Sequence, residues 1–83
     1  MKFFYTRKAA KQLENLPHSV QKRIVDKMRF YASRENPLKF AKHLTNHQEG
    51  NRRFRVGDYR LIFDVKNNAI YILKVAKRGE IYD

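Results

Sequence analysis

Hydrophobic spacing changes once along this chain, and that change divides it into a helical half and a sheet half. From Arg7 onward Ala9, Leu13 and Leu16 recur at helical spacing, with Lys8, Lys11, Gln12 and Glu14 outside the stripe. Asn15 and Pro17 punctuate the end of that segment, and Pro17 suits the first turn of a second helix. There Val20, Ile24, Met28 and Tyr31 continue the helical period, widened by Val25 and Ala32. Asn36-Pro37 stops it, because a residue before proline is pushed out of the helical region. Two helices joined by so short a turn form an αα-hairpin that leans over whatever sheet follows.

From Arg52 the period is two. Arg52 to Val56, Tyr59 to Val65 and Ala69 to Ala76 are rich in β-branched and aromatic residues and read as three strands. Gly57-Asp58 and Asn67-Asn68 separate them as two-residue hairpin turns, Gly57 fitting type II′ and the asparagines type I′. Lys2 to Tyr5 reads as a short strand before the first helix, with Thr6 as the helix N-cap. Leu38 to Asn51 is irregular and reads as loop with one helical turn. The expected class is α+β, in the order β-α-α-β-β-β, with the αα-hairpin packed on a small, mainly antiparallel sheet.

A two-residue loop at Gly57-Asp58 pairs Val56 with Tyr59, Arg55 with Arg60 and Phe54 with Leu61. Phe54, Val56, Leu61, Phe63 and Val65 then share one face with Ile70 and Ile72, an apolar surface for the helices. The other face carries Arg53, Arg55 and Arg60. Opposed like charges destabilise a sheet, so stability alone does not select this arrangement. Guanidinium forks bind phosphate oxygens bidentately, which gives the cluster a purpose. The competing reading is a solvated polar face with acids such as Asp64 nearby, but few acids are close in sequence. Lys77, Arg78 and Tyr82 follow the last strand, and a short return brings them over the same face. A tyrosine among cations has its ionised form favoured, which makes it a proton acceptor; an aromatic packed on the sheet edge is the equal alternative.

Charge points the same way. Nineteen Lys and Arg against eight Asp and Glu give a formal charge of +11, more than solubility needs and a source of self-repulsion. A polyanion is the expected partner, and an acidic protein segment fits the same charge. No apolar run approaches the length of a membrane span. The 83 residues suffice for one domain, 1–83, around one modest core. The absence of cysteine excludes disulfides and thiolate chemistry and fits the cytosol. His43 and His47 have no evident third ligand, so no metal or other cofactor is expected.

The run Arg53-Phe54-Arg55-Val56-Gly57-Asp58-Tyr59-Arg60-Leu61-Ile62-Phe63, then Ile72 to Arg78 and Glu80-Ile81-Tyr82, resembles the RelE branch of the RelE/ParE toxin superfamily. Ala9-Ala10-Lys11, Leu13 to Pro17 and Asn36-Pro37-Leu38 agree with it, so the resemblance spans nearly the whole chain. It implies a toxin of a type II toxin–antitoxin system, a cytoplasmic endoribonuclease that cuts messenger RNA in the ribosomal A site without a metal. The 2′-hydroxyl attacks the adjacent phosphate. By the same resemblance Arg60 clamps the scissile phosphate, Arg55 stabilises the transition state, Arg78 assists charge stabilisation or leaving-group protonation, and Tyr82 stacks on a base or accepts the 2′-hydroxyl proton. Arg52, Arg53, Lys74 and Lys77 are the expected RNA-backbone contacts.

Some relatives carry lysines where this chain has Arg53 and Arg55. Arginine is too weak an acid to shuttle protons, which assigns both to electrostatics. Others place a Glu and a His in the site; Glu49 and His47 read here as solvated loop. The implied partners are messenger RNA on the ribosome and an acidic, partly disordered antitoxin, with operator DNA as a further ligand of the complex. Two alternatives remain: a ParE-like inhibitor of DNA gyrase without nuclease activity, and an inactive relative that only binds RNA.

Overall fold

In a computed structural model, which describes residues 1–44 and 50–78, the elements run β1 (Lys2–Tyr5), α1 (Arg7–Glu14), α2 (His18–Ser33), a 3-10 turn (Pro37–Phe40), β2 (Lys42–His43), β3 (Arg52–Val56), β4 (Tyr59–Lys66) and β5 (Ala69–Lys77). Local chemistry explains most boundaries. The Thr6 hydroxyl accepts the Ala9 N–H at 3.2 Å and opens α1. Gln21 from α2 reaches back, its Nε2 donating to the carbonyls of Glu14 at 3.0 Å and Leu16 at 2.7 Å. Those carbonyls have no helical partner of their own, so one side chain closes the short αα turn. Pro17 sits at the N-cap of α2, one position before the first turn expected for it.

The sheet order is β1-β5-β4-β3-β2. Both hairpins have the anticipated registers, with Val56 opposite Tyr59, Arg55 opposite Arg60 and Lys66 opposite Ala69. Gly57 alone has positive φ in the first turn (59°), as type II′ demands, and Asn67 and Asn68 both do in the second (51° and 59°), as type I′ demands. β1 pairs in parallel with the first half of β5. Where β1 leaves the sheet, Gln12 of α1 takes over the open edge, its Oε1 accepting the Val75 N–H at 2.8 Å.

Helices α1 and α2 cover one face. Ala9, Ile24, Met28 and Tyr31 meet Phe54, Val56, Leu61, Phe63, Ile70, Ile72 and Val75 in the main core. Its centre is a run of aromatic rings: Tyr31 on Phe54 at 4.6 Å, Phe54 on Phe63 at 4.4 Å, and Phe3 on Phe54 at 5.9 Å between centroids. Such pairs add about 0.5–1.5 kcal/mol each beyond the area they bury.

Two further features, beyond the place of Pro17, depart from the sequence reading. The stretch expected to be loop contains β2, which pairs Lys42 with Arg53 and His43 with Arg52. Strict alternation also fails in β5: Ile62 pairs with Lys74 but Phe63 with Ile72, so Leu73 is an extra, bulged residue.

Candidate nucleic-acid interface

The face turned away from the helices collects the cations. Cross-strand partners share a face, so Lys42 and Arg53 lie together beside Ile62 and Lys74, and Arg55 lies with Arg60 and Ala76. The bulge at Leu73 brings Lys74 here; unbroken alternation from Ile70 and Ile72 would have put it among the helices. Lys42 was not anticipated, because a two-residue strand has no hydrophobic period to reveal it.

These side chains differ in access. Arg55 is exposed, whereas Arg53 retains 8% and Arg60 only 3% of its surface. An Arg60 Nη1 donates to the carbonyls of Gly57 at 3.5 Å and Tyr59 at 3.4 Å, both near the outer limit for a hydrogen bond. Arg60 thus lies against the turn that holds it opposite Arg55. The face also has a small apolar anchor of Leu44, Ile62 and Ala76. Gly50 rests on it so closely that a Cβ there would stand 2.7 Å from Ile62 Cγ2 and 3.2 Å from the Phe63 carbonyl oxygen.

Arg78 follows β5 and is tied to the turn, its backbone N–H donating to the Asp58 carbonyl at 2.6 Å. Arg52 and Lys77 lie elsewhere. Arg52 pairs with Phe63, and Lys77 with Tyr59, which packs on the main core; both therefore belong to the helix-side face. Arg52 lines a shallow cleft there with Lys39 and His43. Tyr82, His47 and Glu49 fall outside the described residues. Asp64, the acid weighed as a neutralising neighbour, accepts the Asn51 N–H at 2.8 Å and shares its row with Tyr71.

This arrangement can hold a chain of phosphates, since several cations share one sheet face with guanidinium groups among them. Tyr5 and Tyr31 are pushed above the ordinary tyrosine range by burial, so neither is a base near neutral pH. Among the described residues, no three His, Asp or Glu side chains converge as metal ligands, and no helix is long and apolar enough to cross a membrane.

Comparison with known proteins bears on the family and the fold. The family described as the ParE toxin of the type II toxin–antitoxin system parDE matches residues 3–82. No curated protein matches the chain significantly. Among solved structures, the toxin–antitoxin complex RelBE2 of Mycobacterium tuberculosis contains a chain 29% identical, with a TM-score of 0.79, covering 93% of this chain and 96% of that one. The archaeal RelE–RelB complex of Pyrococcus horikoshii OT3 contains one 27% identical, with a TM-score of 0.73, covering 96% and 97%. A family match over nearly the whole length and a shared fold lead to one conclusion: the chain belongs to the ParE toxin family of type II toxin–antitoxin systems, within the RelE/ParE superfamily, and is a RelE-like toxin.

Proposed function

We propose that this toxin is a ribosome-dependent endoribonuclease that cuts messenger RNA in the A site, and that a cognate antitoxin restrains it. The observation that carries the reading is the Arg55–Arg60 cross-strand pair on the open sheet face, with Arg53, Lys42 and Lys74 beside it. Such a pairing costs stability in the free protein, and a bound phosphate reverses the sign of that cost.

In the proposed reaction a base takes the 2′-hydroxyl proton as the 2′-oxygen attacks the adjacent phosphorus, the P–O5′ bond breaks, and the departing 5′-oxygen takes up a proton from water. The products are a cyclic phosphate and a free 5′-hydroxyl. Arg55, already exposed, meets the phosphate first. Arg60 then exchanges its two long bonds to the turn carbonyls for shorter, charge-assisted bonds to the non-bridging oxygens, where negative charge grows. Arg78, anchored at the same turn, stands to neutralise the leaving oxygen. Tyr82 is the proposed base or stacking group, and Arg53 and Lys74 hold the flanking backbone. Arg52 and Lys77 contribute only through a strand of RNA that reaches round the sheet.

The test is mapping of messenger RNA 5′ ends in a cell-free translation reaction, with ribosome-free RNA in parallel. Arg55→Gln, at an exposed position, and Arg60→Ala should each lower A-site cleavage by about 10²–10³-fold while the protein stays folded. Wild-type cutting by both folded variants would remove these residues from the mechanism.

The family match itself favours a second reading, inhibition of DNA gyrase, because the matching family is named for ParE. A supercoiling assay separates the two: gyrase inhibition together with intact messenger RNA would replace the nuclease reading.

A further inference from the structure

A second group of cations lies on the far side of the β3–β4 turn, where Arg55 alone had a role from the sequence. Arg23 and Lys27 of α2, Tyr31, and Arg55, Val56, Gly57 and Asp58 line an open cleft of about 690 Å³. β2 pairs only with Arg52 and Arg53, so among the described residues no strand pairs with the outer edge of β3 beyond them, and the cleft opens there. Gly57 makes the close approach: its absent Cβ would stand 3.0 Å from an Arg23 Nη and 3.1 Å from Arg23 Cζ. The guanidinium therefore lies against bare backbone. Lys27 is held over the rings of Phe30 and Tyr31, at 5.4 and 5.7 Å from their centroids. Among the described residues Asp58 is the one carboxylate in the lining, against three cations. Arg55 joins this cleft to Arg60 on the open face.

We infer that the Arg23–Lys27–Arg55 cleft is a second phosphate-binding site, which takes the backbone of single-stranded RNA as it passes round the β3 edge from the Arg55–Arg60 pair. The identity of the polyanion rests on the nuclease reading; the cleft and its charge do not. Two more phosphates neutralised on one continuous path raise affinity and make it more dependent on salt.

The experiment measures binding of a short 2′-O-methyl RNA oligonucleotide, which cannot be cleaved, across a range of salt concentrations. The protein is wild type, Arg23→Gln/Lys27→Gln, and the charge-matched Arg7→Gln/Lys11→Gln on α1 at the β1–β5 end of the sheet, with thermal melts as the check on folding. Loss of two contacts should make the slope of log affinity against log salt shallower by roughly 1.4, so that the deficit of the cleft variant shrinks about sevenfold between about 50 and 200 mM salt. Arg23→Lys/Lys27→Arg, which keeps both charges, should restore most of the binding. A deficit independent of salt, a deficit no larger than that of the α1 variant, or no binding by the wild type would overturn the inference. Cleft-dependent binding without A-site cleavage would instead overturn the nuclease reading and leave the phosphate site standing. Cleavage that needs Arg55 and Arg60 but ignores Arg23 and Lys27 in oligonucleotide binding would do the reverse.

Discussion

The two faces of the sheet are built largely from the same strands, β3, β4 and β5, yet they answer to different demands. On the helix side Phe54, Leu61, Phe63, Ile72 and Val75 are buried against α1 and α2, and burial explains every one of them. On the other side Arg55 faces Arg60 and Lys42 faces Arg53, with a small anchor of Leu44, Ile62 and Ala76 beside them. Like charges set opposite one another cost a sheet stability. The difference separates residues that burial alone accounts for from residues that the proposed function accounts for.

The comparison breaks most easily at its centre. Phe54→Ala removes the ring that touches Phe3, Tyr31 and Phe63 and should cost about 3–5 kcal/mol in urea denaturation, enough to unfold a domain of this size. A loss under about 1 kcal/mol would mean that the aromatic run is not the core. Gly50→Ala tests the smaller anchor on the charged side. Its methyl group would press on the stiff, branched Ile62 and on the Phe63 carbonyl, and a loss of about 1–3 kcal/mol is expected.

Arg55→Gln should act in the opposite direction, raising stability by about 0.2–1 kcal/mol as the repulsion from Arg60 disappears, while RNA affinity falls. If stability and binding fell together, the claim that this face is maintained for a ligand would fail. The smallest effect is expected from Tyr5→Phe. The Tyr5 hydroxyl is buried without a hydrogen-bond partner, so its removal should change stability by less than about 1 kcal/mol near neutral pH, and in the favourable direction. Burial holds the Tyr5 proton more tightly in the folded state than at the ordinary value of 10.0. Its contribution is therefore complete below about pH 10 and is lost as pH rises from there through the higher folded value. Melting temperatures should accordingly decline less steeply above pH 10 in the variant than in the wild type, with Tyr31 supplying a residual decline.

Legibility followed the range of the interaction. Thr6 as a cap, the turn types at Gly57 and at Asn67-Asn68, and the opposition of Arg55 and Arg60 all depend on contacts a few residues apart, and all appear as expected. The same local rules put Arg53, Arg55 and Arg60 on one face. Lys42 was missed because β2 exists only through its pairing with β3. The bulge at Leu73 was missed because alternation in β5 remains apolar on both sides of it, and that bulge decides the side on which Lys74 lies.

The order of the two helices and of every strand but β2, the registers at the two hairpin turns and the separation of an apolar from a basic face were thus contained in the chain itself, because hydrophobic period and turn chemistry act over a few residues and need no partner. Tertiary structure alone decided the parallel pairing of β1 with β5, the cover that Gln12 gives the β5 edge, the burial of Arg60, and the approach of Arg23 to Gly57. Each of these joins residues far apart in sequence, or rests on how closely neighbouring segments pack, and such proximity exists only once the helices have docked on the sheet.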